Sequence, residues 1–241
     1  MTDAALARAI AEEAGALLLA IQSHGADGAR GDREANALIL ERLRAARPDD
    51  AILSEESADD LARLERRRVW IVDPLDGTRE FAEGRSDWAV HIALAIDGAP
   101  AVGAVALPRL DVTLASDAPP PLGTPHAPPR LLVSRTRPSQ LCAQVIERIG
   151  AEPLAMGSAG AKAMAVVRGE AEIYLHTGGQ HQWDNCAPAA VALAAGLHAS
   201  RIDGSPLVYN QRSTSIPDLL ICRRELAETV LRAVAACGEA A

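Results

Sequence analysis

The sequence predicts an α/β protein of two halves, an α+β N-terminal half followed by an α/β C-terminal half. Three observations predict it. Apolar residues recur at helical spacing near the start and then gather into short β-prone runs joined by tight turns. The Pro-rich stretch "SDAPPPLGTPHAPPR" at 116–130 cannot carry a central strand, and it sets the expected boundary between residues 1–120 and 121–241. Beyond it, strand-like and helix-like segments alternate, as in α/β architectures. With 241 residues, 49% of them apolar, the chain can bury a sizeable core as one large domain or two packed subdomains.

Taken in order, Leu6, Ile10, Ala14, Leu17, Leu18 and Ile21 fall at helical spacing behind Thr2 and Asp3 as caps. A second helix fits Glu34 to Ala46 and stops at Arg47-Pro48. "AILS" and "VWIV" read as buried strands separated by a short helix that Ser57, with Asp60 three residues on, could cap. Both strands run into acids. "WAVHIALAIDGAPAVGAVALP" is a hairpin around Asp97-Gly98, so the first half is helices plus a largely antiparallel sheet. The second half reads as strand 131–134, helix 139–149, strand 152–155, helix 159–168, strand 171–175, helix 185–195, strand 218–222 and helix 225–236.

The net charge of −8 argues against a nucleic-acid groove or an anionic membrane surface as the main partner, so an anionic substrate needs local compensation. No apolar run reaches the ~18 to 20 residues of a membrane span, and "MTDAALARAIAEEAG" carries acids where a signal peptide needs a basic, then apolar, start. A cytoplasmic location is the expectation. Cys142, Cys186, Cys222 and Cys237 form no C-x-x-C pair and no metal spacing with histidine, which suits reduced packing thiols.

The chemistry concentrates in "VWIVDPLDGTREF", residues 69–81. Asp73 and Asp76 directly follow a strand, where functional groups are commonly delivered. Pro74 removes a donor and stiffens φ, so that a carbonyl such as that of Leu75 can face inward with the carboxylates. This oxygen set suits Mg²⁺, and two such ions about 4 Å apart can bind a phosphoryl group, activate water and steady the leaving oxygen. Gly77 and Thr78 offer N–H groups to phosphate and a hydroxyl to orient the attacking water. Taken singly, the hexapeptide also fits an Asp-Pro turn, Glu55 and Glu56 of "ILSEES" fit solvated loop acids, and Asp184 of "QWDNCAPAAVALAAG" fits a helix N-cap. Jointly, three acidic clusters at the ends of apolar segments fit a metal-assisted phosphatase better. Phosphatases that form an aspartyl-phosphate use D-x-D-G-T, whose nucleophile position here is Pro74, so the nucleophile should be water.

These motifs resemble a known family. "WIVDPLDGTREF" resembles the signature W-x-x-D-P-[IL]-D-G-T-x-x-F of the lithium-sensitive, Mg²⁺-dependent phosphomonoesterases, the inositol monophosphatase superfamily with its CysQ-type 3′(2′),5′-bisphosphate nucleotidases. "WDNCAPAAVALAAG" resembles the second signature and "SEES" the Glu-Glu-Ser element. A chance match to D-P-x-D-G-T-x-x-F is on the order of 10⁻⁸ per starting position. The resemblance covers the whole chain and implies a layered αβαβα sugar-phosphatase-like fold. It further implies two or three Mg²⁺ per site, inhibition by Li⁺, and ligation by Glu55, Asp73, the Leu75 carbonyl, Asp76 and Asp184. Gly77 and Thr78 resemble the phosphate cradle, with Thr78 and Glu55 in the catalytic set. Asp32 in "GARGDREAN" takes the place of the acid that pairs with this Thr, although the Thr and Ala of the family's T-x-A-D element are absent.

Substrate choice turns on "DGTREF", which resembles the nucleotidase form Asp-Gly-Thr-[KR]-Glu-Phe more than the Asp-Gly-Thr-x-Asn-Phe of inositol phosphatases. Leu75, Asp76, Gly77, Thr78 and Asp184 would then also contact substrate. Lys162, the single lysine, with the Gly157-Ser158 turn before it, could hold a second phosphate, and Ser134-Arg135 resembles a nucleotidase Ser-Arg pair. The expected reaction is hydrolysis of the 3′-phosphate of 3′-phosphoadenosine 5′-phosphate (PAP) to AMP in sulfate assimilation, with PAPS a related ligand and a homodimer allowed. Inositol-1-monophosphatase, fructose-1,6-bisphosphatase and a non-catalytic phosphometabolite-binding role are the alternatives. No nucleic-acid polymer or membrane is expected as partner. His91 reads as a sheet histidine, His176 and His181 as loop residues around Gly178-Gly179, "RLERRR" as a solvated charge run and Cys186 as a packed helical thiol.

Overall fold

The computed structural model describes residues 1–238. Its first half contains α1 (Asp3–Ser23), α2 (Gly28–Ala46), β1 (Ala51–Ser54), β2 (Arg68–Asp76), α3 (Thr78–Ala82), β3 (Ala89–Ile96), β4 (Ala99–Leu107) and β5 (Val112–Ala115). The second contains β6 (Arg130–Ser134), α4 (Gln140–Ile149), β7 (Glu152–Met156), α5 (Ala159–Val167), β8 (Ile173–His181), α6 (Gln182–Ala194), β9 (His198–Ser200), β10 (Ser215–Cys222) and α7 (Ala227–Gly238). Among these residues no helix is long and apolar enough to cross a membrane.

Two five-stranded sheets result, ordered β1-β2-β3-β4-β5 and β7-β6-β8-β10-β9. In the first, β1 and β2 are parallel and the remaining pairs antiparallel. In the second, β7, β6 and β8 are parallel while β8, β10 and β9 are antiparallel. Side-chain alternation then builds the layers. Trp70, Val72, Val90 and Ile92 face α1 and α2, whereas Val69, Ile71, Ala93 and Val105 face a middle layer of α5 and α6. Leu132, Tyr174, Leu219 and Ile221 close on the other side of that layer, and Leu131, Ile173, Leu220 and Cys222 point outward to α4 and α7. The order is therefore αβαβα, and the middle helices share one core with both sheets. Each fully buried Leu, Ile or Val in it contributes about 1.5–3 kcal/mol.

Several element ends differ from the sequence reading, each for a local reason. Helix α2 starts at Gly28 rather than Glu34, because the Asp27 side chain caps it, accepting from Arg30 N at 3.1 Å. The glycines that looked like a loop allow close packing: a Cβ at Gly28 would lie 2.6 Å from Thr78 Cγ2. The short helix is a 3₁₀ turn, Leu61–Glu65, capped by Asp60 and not by Ser57, whose hydroxyl accepts instead from Asn36 Nδ2. The strands β5 and β9 have four and three residues, too few to show a period. "RLERRR" is not wholly solvated, since Arg63 is 2% exposed. Strand β8 runs through Gly178-Gly179 to His181, with both glycines at positive φ and a register shift against β10, so the pair forms a bulge rather than a loop.

Candidate active site

The Asp-Pro-Leu-Asp turn is the end of β2 itself. Asp73 pairs with His91 on β3 and Asp76 with Ala89, so β2 carries one extra residue here and Pro74, with no N–H to offer, falls within the bulge. Asp73 Oδ1 accepts from Leu75 N at 3.0 Å, which tightens the turn. Gly77 has φ +90, a left-handed conformation that lets the chain reverse into α3. Thr78 then donates its hydroxyl to the Leu75 carbonyl at 3.1 Å.

Three carboxylates converge. Asp73, Asp76 and Asp184 each offer an oxygen within 4.8 Å of the others. Asp184 reaches the cluster from the third residue of α6, where it also completes the capping box of that helix by accepting from the N-cap His181 N at 2.5 Å. Glu55 stands at the end of β1, where its N–H donates to Val72 O at 3.2 Å. Asp32 lies on α2 rather than in a loop, is 8% exposed, and leaves Oδ1 without a partner beside Thr78.

Their protonation reflects crowding. Glu55 is exposed at its surface, yet desolvation by the surrounding chain and then the Asp184 charge push it up to about 7. Burial and Glu56 push Asp32 up to about 7, and burial with Asp76 pushes Asp184 up to about 6. Burial drives Asp73 well above the usual carboxylate range. Asp76 is the exception. Burial would raise it too, but the His91 imidazole 3.4 Å away, the Ser158 hydroxyl and Gly160 N bring it to about 2. Among the described residues, Glu55, Asp73 and Asp184 have no arginine or lysine partner. A convergence of hard oxygen donors, buried at Asp73 and Asp76 and open to the cleft at Asp184 and Glu55, with no basic side chain paired to Glu55, Asp73 or Asp184 among the described residues, fits a divalent metal such as Mg²⁺.

The cleft in front of this cluster, about 250 Å³, reaches into the second half. Ser158 caps α5 and also donates to Asp76, tying the two halves together. Gly157 N donates to Asp87 Oδ2 at 2.7 Å. Lys162 lies on the wall but is 6% exposed, and its Nζ donates to Ser158 O at 2.5 Å and Gly157 O at 3.2 Å. Ser134 lines the cleft, its Oγ accepting from Arg137 N. Arg135 does not line it: its guanidinium donates to Glu80 and Glu83 at 2.9 and 2.8 Å. Glu80, in turn, fills the space that a Cβ at Gly157 would need.

A profile for the "Inositol monophosphatase family" matches residues 4–118 and 130–239. The chain belongs to this family. As an inositol monophosphatase family member it is 52% identical, over 92% of its length and 90% of the other's, to a protein named 3′-phosphoadenosine 5′-phosphate phosphatase in Mycobacterium tuberculosis. It is 30% identical, over 76% and 79%, to the 3′(2′),5′-bisphosphate nucleotidase CysQ of Escherichia coli. The fold matches a structure of inositol monophosphatase from Anabaena with TM-score 0.81 and 23% identity, covering 97% of this chain and 95% of that one.

Sequence reasoning about this family member missed two groups. Arg79 and Arg137 line the cleft without a carboxylate partner among the described residues; Arg79 stands out in "DGTREF" as a mark of substrate choice but not as a contact, and nothing in the sequence points to Arg137. His91 is indeed within a strand, as expected, yet it is fully buried between Asp76 and the Trp183 carbonyl, to which Nδ1 donates at 3.0 Å.

Proposed function

We propose that the protein is a Mg²⁺-dependent 3′-phosphatase that converts PAP to AMP and phosphate, clearing a by-product of sulfate assimilation. The observation that carries this reading is the charge layout of the cleft. At one end stand carboxylates without a basic partner, and on the same walls stand Arg79 and Arg137 without an acidic one. That layout suits a substrate with two phosphates, one brought to a metal centre and one to the arginines. The relative that is 52% identical supplies the substrate's name.

Glu55, Asp73, the Leu75 carbonyl, Asp76 and Asp184 would hold the metal. The chemistry that bound Mg²⁺ supplies is neutralisation of phosphoryl charge and a more acidic water. The remaining roles fall to the chain. The backbone N–H groups of Gly77 and Thr78 hold phosphate oxygens. The Thr78 hydroxyl orients the water for in-line attack on phosphorus, and Asp32, with an unpartnered oxygen and a pKa raised to about 7, takes up its proton. The 3′-oxygen leaves with a proton from solvent.

The test is phosphate release with Mg²⁺, with and without Li⁺, on PAP, inositol 1-phosphate and fructose 1,6-bisphosphate. The expected result is a kcat/KM for PAP at least tenfold above the others, and loss of activity with Li⁺. If inositol phosphate wins, the nucleotide reading fails while the phosphatase reading stands.

A further inference from the structure

Asp184 is the one carboxylate of the cluster that comes from the second half, so its place beside Glu55, Asp73 and Asp76 depends on contacts across the halves. Its neighbours on α6 reach the other half through a segment of their own half. Gln182 and Asn185, both fully buried, bind the segment 209–213 between β9 and β10. Gln182 Oε1 accepts from Asn210 N at 2.6 Å, and its Nε2 donates to Gln211 O at 3.2 Å and Ser213 O at 2.9 Å. Asn185 Oδ1 accepts from the Tyr209 hydroxyl at 2.9 Å.

The same segment grips the other half. The buried guanidinium of Arg63 donates to Asn210 Oδ1 at 2.8 Å and Gln211 O at 3.1 Å while holding Asp59 through two bonds of 2.7 and 2.9 Å. Asn210 Nδ2 returns a bond to Arg63 O at 2.9 Å. Asp59 and Arg63 belong to the arm that leaves β1 just after Glu55. A buried guanidinium whose three nitrogens are all hydrogen-bonded is costly to strand, so this joint has one favoured geometry.

We infer that Arg63 and Asn210 are positioning residues, a strut that fixes the first turn of α6, and with it Asp184, against the arm that follows Glu55. The inference rests on reading these carboxylates as a metal centre and is independent of the substrate. Outer contacts that orient metal ligands typically shift metal affinity 10–100-fold when lost.

The experiment is isothermal titration of Mn²⁺ into substrate-free protein, paired with melting of the metal-free protein. Asn210→Gly is the central variant, because φ +56 at this position suits glycine and only the side-chain bonds are lost. Arg63→Met is the second, and Arg67→Met, whose ion pair with Asp97 is exposed, is the control. The expected result is about tenfold weaker Mn²⁺ binding for Asn210→Gly and Arg63→Met, unchanged binding for the control, and recovery of kcat at high Mg²⁺. Unchanged Mn²⁺ affinity in Asn210→Gly, whatever its melting temperature, overturns the strut. If Arg63→Met does not fold, Asn210→Gly decides alone. A wild-type protein that binds no Mn²⁺ overturns both the strut and the metal reading.

Discussion

The wall of the cleft built by β2 and α3 and the wall built by β6, α5 and β8 settle their charges in different ways. On the first, Asp73, Leu75, Asp76, Gly77 and Thr78 are neighbours in sequence, and one bulge in one strand aims them all. On the second, Ser134 of β6, Ser158 and Lys162 of α5 and its cap, and His176 of β8 come from three elements, and most of their polar groups are already engaged by the protein. A contiguous turn can therefore present groups to a ligand directly. A wall assembled from distant segments offers a ligand only what its own packing has left over, here Arg137, together with Arg79 opposite.

The sharpest way to break this contrast is Asp76→Asn. The substitution removes the charge of a proposed metal ligand and turns one of the two oxygens that accept from Ser158, Ala159 and Gly160 into a donor, so phosphate release should fall about a thousandfold, equivalent to about 4 kcal/mol. Undiminished Mg²⁺-dependent release would sink the metal mechanism. Next in size is a comparison of two substrates at one arginine. Arg137→Met should raise KM for PAP roughly thirtyfold, about 2 kcal/mol for lost charged hydrogen bonds, and leave KM for 3′-AMP unchanged. Equal effects on both substrates would remove Arg137 from the second-phosphate site.

A third test uses pH and metal. Asp32 and Glu55 at about 7 and Asp184 at about 6 have folded-state pKa values above their unfolded ones. The metal-free folded state therefore binds more protons than the unfolded chain between about pH 4 and 7, and its stability falls as pH rises through that window. The melting temperature without metal should drop from pH 5 to 7.5, and 10 mM Mg²⁺ should recover most of the loss at the higher pH and little at the lower, a concentration on the order of millimolar chosen to load the site. A flat metal-free profile would contradict the crowding of these carboxylates. The smallest expected effect is that of Arg135→Met or Glu80→Gln, which break a partly exposed ion pair: less than about 1 kcal/mol of stability and no change in substrate ranking. A shift of preference toward inositol phosphate in Glu80→Gln would restore Glu80 as a substrate contact.

The same contrast explains what could be read in the sequence. The turn at 73–78 was legible because its function is written in adjacent residues, and the layered fold followed from apolar periodicity and the resemblance together. The partners of Arg135 were not, since Glu80 lies 55 positions away and both are ordinary surface residue types. Lys162 looked free because a sequence does not reveal that two carbonyls of its own turn will occupy its ammonium. Asp32 looked like a loop acid because "GARGD" has poor helix propensity, and packing of Gly28 and Gly31 against Thr78, Leu18 and Leu75 overrode it. Gly178-Gly179 looked like a loop because glycine pairs more often end strands than bulge them.

The middle layer of α5 and α6 has a consequence for how the site comes into being. Those helices lend apolar faces to both sheets, so neither sheet can bury its inner side until both helices are seated. The Asp76 to Ser158 bond and the arrival of Asp184 belong to that same event. The three carboxylates therefore converge only where both sheets have closed on the middle layer, and the acidic centre is a product of the whole fold rather than of either half.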